Sequence, residues 1–246
     1  MTLYWYEIRV SETLDYQWSQ WFDGMAVVPE IEGSSMSGTL LRGSLPDQAA
    51  LFGILSQLRN LNLTLIEVKR VNHLMPVIRP ETPADVDAVY TVNKQAFDGR
   101  EAEPRLVDSI RKSEGYIPEL SLVAEQNDQI MGHILFSRIQ IQSENVQLPG
   151  LALAPMAVLP EYQGQGIGST LVKRGLEECK RLGYAWIIVL GHPAYYTRFG
   201  FAPELAKSLE CPFGDCGNAW MALELIPGVL KGVRGIVSYP PAFDHV

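Results

Sequence analysis

Cysteine is scarce: three in 246 residues, Cys179, Cys211 and Cys216, which form no paired framework and suit a reducing compartment. The last two stand as CPFGDC, a spacing open to a metal or redox pair. No second ligand pair or histidine cluster accompanies it, so no metal is expected. No apolar run approaches the ~18 residues of a membrane span, and no membrane partner is expected. The start, MTLYWYEIRV, carries Glu7 and Arg9 where a signal peptide needs an uninterrupted apolar region, so the expected location is cytoplasmic. Basic residues are in deficit: 20 Lys and Arg against 28 Asp and Glu leave a net charge of −8, against the clustered cations that a nucleic-acid partner demands. Internal repeats and low-complexity tracts are also missing.

What is present is ample apolar material. At 47% hydrophobic, the chain can bury one sizeable core and a second, smaller one. A division is expected near His73 to Pro76, giving a small domain over residues 1–73 and a larger one over 76–246. In the first, YWYEIRV, GMAVVPEI (introduced by Asp23-Gly24) and SGTLLRGSL read as strands. Pro46 and Asp47 then open a helix whose Leu51, Ile54, Leu55 and Leu58 recur at helical spacing, and LTLIEVKRV closes a β-β-β-α-β order. The tryptophans Trp5, Trp18 and Trp21 cluster here, either filling a small core or marking an interface. No catalytic constellation is visible in this unit, which leaves dimerisation or the sensing of a small ligand as its open roles.

After Pro76, VIRP reads as a short strand and Pro83 to Phe97 as a helix with Val86, Val89, Tyr90, Val92 and Phe97 toward the core. FDGREAE forms a loop before a second helix, Pro104 to Lys112. Strands LSLVAE and QIMGHILFSRIQI flank Asn127-Asp128 as an antiparallel hairpin. NAWMALEL and GIVSYP supply further pieces of a mixed sheet.

The most informative stretch runs from Leu151 to Leu182: an apolar strand to Val158, a glycine-rich turn, and a helix with Ile167, Leu171, Leu176, Cys179 and Leu182 mostly on one face. Gly164, Gly166 and Gly168 let backbone N–H groups approach a ligand, and the first N–H groups of the helix have no internal partners. With the positive end of the helix dipole they make an anion site. A P-loop would need a Lys after the last glycine, where Ser169 and Thr170 stand. A dinucleotide fingerprint would space its glycines differently and place an acid at the end of the next strand, which here runs from Trp186 to Leu190 into Gly191 and His192. Upstream, Pro155 removes a ladder donor and suits a bulge or a sheet edge.

Gln163, Gly166 and Gly168 match the pattern Q/R-x-x-G-x-G/A, which resembles the pyrophosphate-binding turn of the GNAT superfamily of N-acetyltransferases. Tyr196, Gly200 and Phe201, in AYYTRFGFAP, are similar to the family's Y-x-x-x-G-F segment after the next strand. The order strand–helix–helix–strand–strand–strand–helix–strand–helix is also that of the family. The resemblance covers roughly residues 76 to 225, and the tail resembles a bacterial branch of predicted acetyltransferases. It implies an α/β (mixed α+β) fold with a mixed central sheet flanked by helices.

It further implies acetyl-CoA as cosubstrate and an amine acceptor, on a small molecule first and on a protein N-terminus or lysine second; the net charge of −8 is compatible with a cationic amine. The strand ending at Val158 would be splayed from its neighbour, with Met156 and Val158 pairing with the pantetheine arm. Backbone N–H groups around Ala157 and Val158 would serve the oxyanion. Gln163, Gly164, Gln165, Gly166, Ile167, Gly168 and Ser169 would hold the pyrophosphate, and Tyr196 would protonate the departing thiolate, with Tyr195 as a packing residue. That strand carries no carboxylate or histidine, which leaves Glu161 near the turn, with Glu101, Glu103, His133 and His192, as groups from which a base could come. Where many members use an Asn around the cofactor, Val189 and His192 do not supply it. A CoA-binding sensor without turnover is the alternative, and a homodimer remains open.

Overall fold

A computed structural model describes residues 4–23, 25–32, 35–71, 76–143 and 147–244. Gly24 and residues 72–75, where the first domain is expected to end, lie outside them. The chain divides into two compact units, Met1–Met75 with Gly164–Gly166, and Pro76–Gln163 with Ile167–Val246.

The first unit contains strands β1 (Tyr4–Val10), β2 (Ala26–Glu32), β3 (Ser35–Leu45) and β4 (Leu65–Val71), with helix α1 (Gln48–Asn60) between the last two. The strands pair antiparallel in the order β2-β3-β1-β4. Asp47 starts α1 by accepting a hydrogen bond from the Ala50 N–H at 2.8 Å, an N-cap that satisfies one otherwise orphaned donor. Ile54 and Leu58 of α1 are buried against Tyr6, Ile8, Val10, Leu41 and Leu45 of the sheet. Burial of each such side chain stabilises by about 1.5–3 kcal/mol. The tryptophans divide: Trp5 is buried and Trp18 packs half-buried against this core, whereas Trp21 is 61% exposed.

The second unit begins with β5 (Val77–Pro80), followed by α2 (Val86–Ala96) and α3 (Ala102–Arg111). The helix expected from Pro83 opens with a 3-10 turn, Pro83–Asp85, in which Asp85 accepts from the Thr82 N–H at 2.8 Å. Helix α3 starts two residues before the expected Pro104, which stands in its first turn where a missing N–H costs nothing. Then come β6 (Ser121–Gln126), β7 (Gln129–Gln142), β8 (Gln147–Val158), α4 (Ile167–Arg181), β9 (Trp186–Leu190), the short helices α5 (Pro193–Tyr196) and α6 (Pro203–Ala206), and strands β10 (Leu209–Glu210), β11 (Trp220–Glu224) and β12 (Gly235–Ser238). Asn127 and Asp128 both have positive φ, 50° and 61°, as a two-residue hairpin turn between β6 and β7 requires.

These strands form one mixed sheet of eight. Its path runs β5-β6-β7-β8-β9-β11, and β12 with β10 continues beside the far half of β7. Only β8–β9 and β10–β12 are parallel. Helix α4 covers one face, burying Ile167, Leu171, Val172 and Cys179 against Ile134, Phe136, Leu151 and Ile187. Helices α2 and α3 cover the other, with Val89, Val92, Leu106, Val107 and Ile110 against Val123, Leu135 and Ala157. Gly175 lets α4 approach the sheet, since a Cβ there would lie 2.3 Å from the Phe136 ring.

Candidate active site

Strand β8 has two halves. Leu151 and Ala152 pair in parallel with Ile187 and Ile188 of β9, and there the parallel pairing stops. From Leu153 to Val158 the strand continues along β7, but no described strand pairs with its other edge. Gly150 sets the point of closest approach: a Cβ on it would lie 2.2 Å from the buried indole of Trp186, at the start of β9. Pro155 follows a cis peptide, and the register against β7 shifts between Ile134 and Phe136. The strand is therefore interior to the sheet and not an edge, and the irregularity at Pro155 is of the bulge kind.

Alternation decides which backbone groups face the opening. The Leu159 N–H donates to the Met131 carbonyl at 2.9 Å, so in this antiparallel register Leu159 and Ala157 turn their backbone groups to β7. Met156 and Val158 turn theirs the other way. This corrects the expectation for Ala157, whose N–H is directed to His133 on β7 and whose side chain packs under α2 and α3.

After Val158 the chain makes a 3-10 turn, Pro160–Tyr162, and Gln163 reaches back to donate from Nε2 to the Val158 carbonyl at 3.0 Å. Gly164 and Gly166 adopt φ of +69° and +84°, the left-handed region where side chains are strained. Gly168 is needed for a different reason, space: a Cβ there would sit 2.7 Å from the Tyr195 hydroxyl and 3.4 Å from the Met156 sulfur. Helix α4 begins at Ile167, which is buried, so its first N–H groups, including those of Gly168 and Ser169, are free of intrahelical partners. Gln165 lies between the two left-handed glycines, half-buried. Glu161 is exposed in the preceding turn.

Tyr196 is buried, edge-on to Tyr195 at 5.0 Å and to Phe201 at 5.7 Å. A Cβ on Gly191 would meet its ring at 2.4 Å. It shares a core cluster with Val158, Ile167 and Val189. Burial, and secondarily Tyr195, raise its pKa above that of an ordinary phenol. Tyr195, expected only to pack, has a buried hydroxyl with no hydrogen-bond partner at standard geometry, directed at Gly168. The Arg198 guanidinium stacks 4.1 Å over its ring and donates to the Ser169 hydroxyl at 3.1 Å. Sequence reasoning missed Arg198; the available signal was a cation three residues beyond Tyr195, on one helical face.

The groups considered as bases are dispersed. Glu101 is paired with Lys94 at 2.5 Å and accepts from the Tyr90 hydroxyl, contacts that lower its pKa. Glu103 is held 3.6 Å from Arg100. His192 is exposed at the start of α5. His133 is wholly buried. Its Nδ1 accepts from Asn93 Nδ2 at 3.1 Å, and its Nε2 lies 3.0 Å from Ser121 Oγ and 3.6 Å from Glu81. Arg111 holds the other oxygen of Glu81 at 2.6 Å. That arrangement selects neutral imidazole with the proton on Nε2. Burial lowers the His133 pKa, against the opposing pull of Glu81. Away from these residues, Cys211 and Cys216 are free thiols lining a surface cavity of about 480 Å³ with Lys207, Asp215 and Trp220.

Residues 77–203 match the family described as Acetyltransferase (GNAT) domain, and residues 5–69 match a domain of unknown function, DUF8691. The Escherichia coli K12 protein described as uncharacterized N-acetyltransferase YhbS is 35% identical over 170 residues, 69% of this chain and 99% of that protein. YjhQ of the same strain, described likewise, is 40% identical over 120 residues, 49% of this chain and 66% of that protein. The crystal structure of the E. coli YhbS in complex with CoA superposes with a TM-score of 0.64 at 31% identity, covering 71% of this chain and 94% of that one. A GNAT family acetyltransferase from Brucella melitensis in complex with acetyl-CoA gives 0.57 at 31% identity, covering 70% and 100%. The chain belongs to the GNAT acetyltransferase family, and its mixed sheet flanked by helices is the fold of these neighbours.

Proposed function

We infer that the protein uses acetyl-CoA to acetylate a primary amine of a small molecule, by direct attack of the amine on the thioester carbonyl. The observation that carries this reading is the parting of β8 from β9 beyond Ala152, directly upstream of a glycine-rich helix start. Met156 offers its backbone groups to the pantetheine arm along the opening, and Val158 its N–H at the end of it. The N–H groups from Gln165 to Ser169 receive the pyrophosphate, as a helix N-terminus favours anions. The relatives crystallised with CoA and acetyl-CoA support this assignment.

As the amine attacks, charge develops on the thioester oxygen, and the Val158 N–H is the donor placed to meet it without reorganisation. Collapse of the tetrahedral intermediate breaks the carbon–sulfur bond, and Tyr196 gives its proton to the departing thiolate. A phenol is protonated at neutral pH, so the proton is there to give. The acceptor must arrive as the free amine. Glu161, exposed beside the turn, is the base we assign to that deprotonation.

Titration calorimetry with acetyl-CoA, followed by thiol release against a panel of amines, tests the reading. Binding with release is expected. Binding without release would favour a CoA sensor, and no binding would remove the anion-turn argument. Tyr196→Phe should lower turnover by about 10²-fold while leaving acetyl-CoA affinity unchanged; equal turnover would remove Tyr196 from the mechanism.

A further inference from the structure

Strand β4 ends the sheet of the first unit, pairing with β1 on one side and with no described strand on the other. Six of its seven residues are exposed, and three of these are large and apolar: Leu65 at 45%, Ile66 at 58% and Val68 at 36%. A long apolar edge with a free row of N–H and C=O groups is a template for another strand. Edge charges commonly discourage such pairing, and β4 carries Glu67, Lys69 and Arg70. Their order, however, is complementary to itself.

Two copies of β4 related by a two-fold axis normal to the sheet oppose residues of the same face only, so the axis must pass at a residue. With Val68 at the axis, Glu67 of each copy lies opposite Lys69 of the other; the regular alternation that this register uses runs from Glu67 to Val71, since a bulge at Ile66 shifts the pairing with β1 between Arg9 and Val10. With the axis at Glu67 two carboxylates meet, and at Lys69 two ammonium groups meet. The register centred on Val68 therefore pairs opposite charges, and the adjacent ones repel. Helix α1 extends the same side of the unit. Leu55, Leu58 and Arg59 line a cavity of about 310 Å³ with Leu63, Thr64 and Leu65. Phe52, one turn before Leu55 on that flank, is 62% exposed.

We propose that the protein self-associates through β4, two copies joining their four-stranded sheets antiparallel about Val68. The interface is a strand pair with an apolar flank, small by the standard of permanent dimers, so the association is a concentration-dependent equilibrium. It is independent of the acetyl-transfer reading.

Sedimentation of the full chain across a wide concentration range reads the association directly. A monomer–dimer equilibrium is expected. Lys69→Glu should weaken it by about tenfold, since each Glu67 then faces a carboxylate. Glu67 is also held by Arg9 at 2.6 Å within its own sheet, so the double variant Glu67→Lys with Lys69→Glu is compared with Glu67→Lys alone: exchanging the opposite charges should recover the association that either single change weakens, while Arg9 keeps its 2.9 Å pair with Glu30. Matching circular dichroism spectra and melting midpoints confirm that the variants fold. A chain monomeric at every concentration, or a dimer indifferent to Lys69→Glu, or one that the double variant fails to restore, would overturn the proposal.

Discussion

Two of the unpaired strand edges among the described residues, the outer edge of β4 and the inner edge of β8, differ in their surroundings. In the first unit the outer edge of β4 is exposed along nearly its whole length. In the second, the opening between β8 and β9 lies inside an eight-stranded sheet, below the start of α4, and its lining residues Val158 and Ile167 are buried. Backbone groups of one chemistry thus meet two environments. An outer edge fits a strand of another chain, whereas an inner split of a few residues fits a narrow extended ligand. The lesson is that unpaired backbone gains its meaning from what encloses it.

The comparison breaks most severely at Gly150→Val. The added side chain would enter the space of the Trp186 ring, 2.2 Å from the Cβ position, where β8 and β9 are held before they part. Overpacking there should destabilise the second unit by about 3 kcal/mol, read as a fall in the denaturant midpoint. An unchanged midpoint would mean that the junction can relax.

Next in size is the helix start. Gly166→Val places a β-branched residue at φ +84° and should weaken acetyl-CoA binding by roughly tenfold or more. Gln163→Ala removes one side-chain hydrogen bond and should cost about threefold. Equal losses in calorimetry would count against a cradle made of backbone.

The smallest expected effect is on acid stability. The native pKa of His133 lies below the unfolded value of 6.5, chiefly through burial. Below pH 6.5 the unfolded chain therefore binds a proton that the native state refuses, and stability falls as the pH drops. Glu81, also lowered, adds a further loss at more acidic pH as it is protonated. The first decline in melting temperature should disappear in His133→Gln; its persistence would assign the decline to other groups.

Much of the frame was legible because its causes are local. Helix α4 follows from apolar spacing, the β6–β7 hairpin from Asn127-Asp128, and the tight turn before α4 from alternating glycines. What escaped depends on distant partners. That β8 and β9 part after Ala152 is a fact of non-local pairing, and Gly150 shows its importance only beside Trp186, 36 residues on. Ala157 and Val158 are neighbours in sequence, yet alternation sends their backbone groups to opposite sides. Tyr195 read as packing because nothing nearby in the chain reveals Gly168 at its hydroxyl. The His133 network joins residues from α2, α3, β6 and β7 with Glu81, so the residues flanking His133 in sequence carried no hint of it.

The hydrogen bond from Gln163 to the Val158 carbonyl has a consequence for conformational entropy. It closes a six-residue ring across the end of β8 and the entry to the glycine turn, a segment that would otherwise sample many backbone states. The freedom of that segment is surrendered once, when the chain folds, and not again at each encounter with a ligand. On the proposed reading, the pyrophosphate would meet a turn already shaped, and its affinity would not be diminished by ordering the loop.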